Sequence, residues 1–128
     1  MRYEYDRQFS PPAPALMIEI FDPDDSDRRE RVLAKLDTAA DISAIPLQVL
    51  VGWRLEPDSE IVVSGFESAP AAMRSYTVGI ELPEARIRRV EVVPFAMDYA
   101  LLGRDVLNLL FIDLAGPTLT FEIKSAGP

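Results

Sequence analysis

Neither cysteine nor histidine occurs anywhere in this chain of 128 residues. The first absence excludes disulfides, thiolate nucleophiles, thiolate zinc sites and iron–sulfur ligation, and leaves the sequence indifferent to redox compartment. The second excludes a Ser-His-Asp triad, a Cys-His pair, imidazole metal ligation and any general base whose ordinary pKa lies at about seven. Proton chemistry would therefore fall to carboxylates. Basic residues are in the minority, 13 against 21 acids, for a formal net charge of -8. Such a chain repels phosphate backbones and anionic lipid surfaces, so neither nucleic acid nor membrane is an expected partner. No apolar run reaches the roughly eighteen residues of a membrane helix, and no basic-then-apolar leader is seen, so a soluble, cytoplasmic protein is the expectation.

What is present is a single domain's length with 48% hydrophobic residues, enough apolar material to fold without staples. Residues 1–14 read as an N-terminal arm, with Tyr3, Tyr5 and Phe9 running into Ser10-Pro11-Pro12-Ala13-Pro14. Residues 15–128 read as the domain. Two apolar runs, Leu16 to Phe21 and Arg31 to Leu36, flank the acidic Asp22-Pro23-Asp24-Asp25-Ser26-Asp27 and predict a hairpin. A calcium loop is excluded there, because the sixth and twelfth positions hold Asp27 and Leu33 instead of glycine and a bidentate acid. The arginine clusters Arg28, Arg29, Arg31 and Arg86, Arg88, Arg89 sit beside acids and read as solvated strand edges.

Further along, Leu47 to Leu50 suits a short helical turn, and Ile61-Val62-Val63, the alternating Tyr76, Val78, Ile80, Leu82, and Val90 to Val93 suit strands. Asp105 is placed to cap a helix carrying Val106, Leu109 and Leu110, and Phe111 to Leu114 and Leu119 to Ile123 close the chain as strand, turn and strand. The pattern is mostly β and barrel-like, with one or two short helices.

One stretch carries chemistry. Asp37 directly follows the strand-like Val32 to Leu36 and precedes the small residues Thr38-Ala39-Ala40, which puts a carboxylate at the mouth of a tight turn. A second apolar run ends in Leu101-Leu102-Gly103-Arg104-Asp105, where Arg104 is able to fork onto Asp41. Taken in order, Leu36-Asp37-Thr38-Ala39-Ala40-Asp41 with Ser43 and Ile45, then Ser64-Gly65-Phe66 through Met73, then Leu101 to Leu107 resemble the retropepsin family of homodimeric, retroviral-type aspartic proteases. The likeness spans Ala15 to Ile123. The first stretch is similar to the family's hydrophobic-Asp-Thr-Gly-Ala loop, the second lies where the family has its flap hairpin, and the third is similar to its Gly-Arg-Asn/Asp segment.

This resemblance implies a closed, barrel-like acid protease fold with a flap hairpin and one short C-terminal helix. It implies an aspartic endopeptidase acting on peptide or protein substrates, needing no cofactor and no metal. Two like charges about 3 Å apart cannot both ionise, so a pair of aspartates shares one proton around an attacking water. One such loop per chain demands a homodimer with Asp37 from each copy. Thr38 would form the grip between the loops. Ala39, Ala40, Asp41, Gly65, Phe66 and Glu67 would border substrate, and Gly103, Arg104 and Asp105 would support the loop. Ala39 stands where the family has glycine, and the flap is poor in glycine. The alternative is thus a catalytically impaired dimeric module that binds peptide or serves assembly.

Overall fold

The alternation of Leu16, Ile18 and Ile20 with Met17 and Glu19 buries every second side chain, as a strand with one face on a core requires. In the computed structural model, which describes residues 1–63 and 70–125, that run is a long strand within an almost entirely β architecture. In chain order the elements are β1 (Arg2–Glu4), β2 (Ala15–Asp22), β3 (Asp25–Leu36), β4 (Ala44–Pro46), α1 (Leu47–Gly52), β5 (Ser59–Val63), β6 (Ala71–Leu82), β7 (Ala85–Phe95), β8 (Ala100–Leu102), α2 (Arg104–Leu107), β9 (Leu110–Ala115) and β10 (Thr120–Ser125). A 3₁₀ turn over Gly116–Thr118 joins the last two. No helix among the described residues is long and apolar enough to cross a membrane.

The larger sheet runs β2-β3-β8-β4-β7-β6-β5, and β2 also pairs with β6. Six strands therefore return on themselves, β6 joining β2 through Glu19↔Glu81, Ile20↔Ile80 and Phe21↔Gly79. Closure leaves fewer open edges and wraps one interior. Ile18, Ile20, Ala34, Ile45, Val78, Ile80, Val92 and Leu102 fill that interior, each at most 1% exposed. The expected hairpin is β2–β3, antiparallel from Ala15↔Lys35 to Asp22↔Asp25. Its acids are engaged locally: Asp22 Oδ1 accepts from the Asp24 amide at 2.9 Å, and Arg89 reaches Asp24 at 2.8 Å. Trp53 packs against the core.

Gly79 marks a register irregularity in β6, and a Cβ there would overlap the Phe21 ring. That ring is buried at 1% exposure and lies beneath the guanidinium groups of Arg29 and Arg86, 5.1 and 4.9 Å from its centroid. Arg29 is further held by Glu19 at 2.8 Å and Glu81 at 3.1 Å, which raise its pKa above the ordinary value, Glu19 most. Two of the arginines expected on strand edges, Arg29 and Arg86, thus roof a buried aromatic.

Two local expectations change. The C-terminal helix is one turn, Arg104–Leu107, with Gly103 at its N-cap. Asp105 sits within that turn instead of capping it, and Leu110 already belongs to β9. The first fourteen residues are bound to the domain. A second sheet, ordered β1-β10-β9, takes Tyr3 opposite Phe121, and the Tyr3 and Phe121 rings stack at 5.0 Å. Beyond it, Asp6 bridges Ala13, and the loop between them sets Phe9 edge-on to Tyr99 at 5.0 Å. Aromatic burial outweighs the extended preference of the prolines.

Candidate active site

Asp37 leaves the end of β3 and enters a turn at Thr38 and Ala39. The strand's exit is fixed by the neighbouring parallel strand, since the Asp37 amide donates to the Leu102 carbonyl at 2.9 Å. The turn is closed by two bonds of its own. The Ala39 amide donates to Asp37 Oδ1 at 3.0 Å, and the Ala40 amide donates to the Asp37 carbonyl at 3.2 Å. One carboxylate oxygen is therefore oriented by backbone, and the side chain is half-buried. Thr38 and Ala39 are exposed at the tip. Among the described residues only Arg54 and Leu119 combine a side chain with a left-handed backbone, so Ala39 adopts an ordinary conformation and its methyl imposes no backbone strain.

The second motif clamps this loop. Gly103 passes so close to it that a Cβ would lie 2.9 Å from the Ala40 carbonyl oxygen and 2.9 Å from the Ile42 carbonyl carbon, a gap only glycine fits. From there the Arg104 amide donates to the Ala40 carbonyl at 2.9 Å. The Arg104 guanidinium donates to the Thr38 carbonyl at 2.6 Å and pairs with Asp41, joining the two sides of the turn. Asp41 is 85% exposed at its side chain, so the geometry of the fork matters more here than its Coulomb energy.

Asp105 works from beneath. Its two oxygens accept from the Ser43 hydroxyl at 2.7 Å and the Ser43 amide at 3.0 Å, and Oδ1 also accepts from the Val106 amide at 2.9 Å. The Ser43 hydroxyl in turn accepts from the Gly103 amide at 2.9 Å. Ser43 is wholly buried, and no side-chain polar atom buried among the described residues lacks a partner. Reading the residues alone placed Ser43 in a motif without giving it a task. A lone hydroxyl between Ile42 and Ala44, in an apolar stretch, was the available signal.

The structure thus brings Asp37, Thr38, Ala39, Ala40, Asp41, Gly103, Arg104 and Asp105 together at one end of β3 and β8. The expected flap has antiparallel arms, Ser59↔Ser75 to Val63↔Ala71 in β5 and β6. Gly65, Phe66 and Glu67 lie outside the described residues. A cavity of about 640 Å³ is lined by Leu33 of β3 with Met17, Phe9, Met97, Tyr99 and the acids Asp6 and Asp98. Among the described residues no cluster of acids has the makings of a metal site.

No family model and no curated protein sequence matches this chain. Solved structures do. A retropepsin-like aspartic protease from Rickettsia conorii aligns over 98% of this chain and 91% of its own, with a TM-score of 0.65 and 11% identity. EIAV protease, solved with an inhibitor, aligns over 75% of this chain and 86% of its own at a TM-score of 0.51 and 19% identity. The foamy viral protease–reverse transcriptase aligns over 75% of this chain at a TM-score of 0.57 and 17% identity, the match spanning 12% of that much longer chain. The fold of this chain is retropepsin-like.

Proposed function

We propose that this protein is an aspartic endopeptidase whose catalytic pair is made of Asp37 from each of two copies. The observation that carries the reading is the Asp37 loop: a half-buried carboxylate with one oxygen bonded by backbone, in a turn clamped by Gly103, Arg104 and Asp105, within a retropepsin-like fold. A carboxylate held that way suits proton transfer, which needs the group fixed before the reaction begins.

Two such carboxylates facing one another hold one proton between them, because the second ionisation is opposed by the first charge. The ionised Asp37 takes a proton from a water as the water oxygen attacks the peptide carbonyl carbon. The protonated Asp37 of the other copy donates a hydrogen bond to the carbonyl oxygen and transfers its proton to it. Collapse of the resulting tetrahedral diol breaks the C–N bond, with the amine leaving protonated and the pair returned to one shared proton. In this reading Thr38 links the two loops, and Ala39, Ala40 and Asp41 border an extended peptide. In the same reading Gly65, Phe66 and Glu67 border it as well. The reaction draws on no cofactor.

The test is a diverse unstructured peptide library incubated with the parent and with Asp37→Asn across about pH 4 to 7, with cut sites read by mass spectrometry. The parent cleaves, and Asp37→Asn loses at least about 10²-fold of the rate, the usual share of general acid–base catalysis. Equal cleavage by both proteins defeats the assignment.

A further inference from the structure

Residues 6–13 return on themselves, the Asp6 amide donating to the Ala13 carbonyl at 2.8 Å and the Ala13 amide donating to the Asp6 carbonyl at 3.2 Å. This loop, the β2–β3 hairpin and the connection from β7 to β8 together enclose the cavity of about 640 Å³, a volume within the range of small-ligand sites, roughly 300–1,000 Å³. Met17 and Leu33 line it from the hairpin, where they are opposed across the two strands. They alternate with Leu16, Val32 and Ala34, which point into the core, so they belong to the outer side of the sheet. One wall is aromatic: Phe9 meets Tyr99 edge-on at 5.0 Å, and Tyr99 meets Phe95 edge-on at 5.5 Å.

Charge narrows the choice of occupant. Asp6 and Asp98 both line the cavity, and among the described residues neither forms an ion pair, whereas Glu19 and Glu81 share Arg29 and Asp24 takes Arg89. Asp6 is nonetheless fixed in place, since its Oδ1 accepts from the Gln8 amide at 2.8 Å. The aromatic wall already attracts one cation: the Lys35 ammonium stands 4.8 Å from the centre of the Phe9 ring. The two carboxylates outweigh that single charge and leave the cavity suited to a further cation.

We propose that this cavity receives an arginine side chain of a bound peptide, its apolar stem against Met17 and Leu33 and its guanidinium towards Asp6, Asp98 and the aromatic wall. Arginine suits the lining because its planar head both stacks on rings and forks onto carboxylates. That the arginine is carried by a peptide rests on the endopeptidase reading above. Leu33 stands four residues before Asp37 in the same run of chain, about 13 Å along an extended strand, a span that an extended peptide covers with as many residues. The N-terminal arm, which supplies Asp6 and Phe9, thereby becomes a specificity element, and the net charge of -8 favours the approach of a basic segment.

Binding is measured on Asp37→Asn, so that the peptide stays whole, by fluorescence anisotropy with labelled unstructured peptides identical except at one residue: arginine, its neutral isostere citrulline, or glutamate. The arginine peptide binds about tenfold tighter than the citrulline peptide, and the glutamate peptide binds weakest. Adding Asp6→Asn and Asp98→Asn together brings the arginine peptide down to the citrulline level and leaves citrulline binding as it was, with thermal melts checking that the fold is kept. Equal or undetectable binding of the arginine peptide, or a preference that survives the loss of both acids, overturns the site. Cleavage of a peptide library by the parent beside equal binding of the arginine and citrulline peptides defeats the cavity assignment and leaves the peptidase reading standing. An acid-dependent arginine preference beside a parent that cuts no peptide upholds the cavity and defeats the catalytic reading instead.

Discussion

The hydroxyl of Ser43 lies at the crossing of two bonds, donating to Asp105 at 2.7 Å and accepting from the Gly103 amide at 2.9 Å. Both partners are in the segment that clamps the Asp37 loop, and removing the hydroxyl leaves the buried Gly103 amide without a partner, while Asp105 Oδ1 keeps the Val106 amide. Ser43→Ala therefore lowers stability by about 1–3 kcal/mol, the cost of leaving buried polar groups unpaired. A denaturant titration measures it, and Ser43→Thr, which keeps the hydroxyl, loses less. Asp37, Arg104 and Asp41 were recognisable in the chain because their spacing and types carry a local pattern. The task of Ser43 was not, because its partners stand 60 and 62 positions away and only the folded sheet brings them near. The methyl of Ala39 illustrates the converse: as a departure from the family's glycine it gave ground for the impaired alternative, and the backbone at that position carries no strain.

Among elements, β1 was the hardest to read, being three residues within an arm whose prolines suggest an extended connector. Its place is set by Tyr3, which stacks on Phe121 and donates from its hydroxyl to Glu84 at 2.7 Å. Burial, reinforced by the hydrogen bond and charge of Glu84, raises the Tyr3 pKa well above its ordinary value. A proton held more tightly in the folded than in the unfolded state adds stability that is complete below the unfolded value of about 10. That contribution is lost as the pH climbs from there towards the folded value. Tyr3→Phe accordingly costs about 1.5–3 kcal/mol at neutral pH, the worth of a hydrogen bond to a charged group. It also flattens the alkaline loss of stability relative to the parent, which thermal melts at rising pH measure. The longer strands β2, β3 and β7 were legible as the apolar runs Leu16 to Phe21, Arg31 to Leu36 and Val90 to Val93, and β6 from its alternation, but β3 begins already at Asp25 and β7 at Ala85. α2 was read too long, because Leu109 and Leu110 keep helical spacing while Leu110 in fact begins the pairing with Ser125.

For the whole molecule, a charge of -8 per chain opposes bringing two copies together. Salt relieves that repulsion, the screening length falling from about 30 Å at 0.01 M to about 8 Å at 0.15 M. The association between two copies proposed above therefore tightens as salt is raised, opposite to what interfacial ion pairs give, and equilibrium sedimentation at the two ionic strengths measures it. The fold class was visible in the chain, since strand runs separated by turn residues leave little else. The closing pair β2–β6 was not, because three residue pairs between segments about sixty positions apart leave no mark on local periodicity. The clamp on the Asp37 loop has the same long reach. Its donors and acceptors at Gly103, Arg104 and Asp105 come well after Asp37 in the chain, so a nascent chain already displaying Asp37 has nothing yet to shape the loop around it. The turn that orients the Asp37 carboxylate thus takes its shape only once the chain has been made past Asp105, and the order of synthesis separates the carboxylate from its clamp.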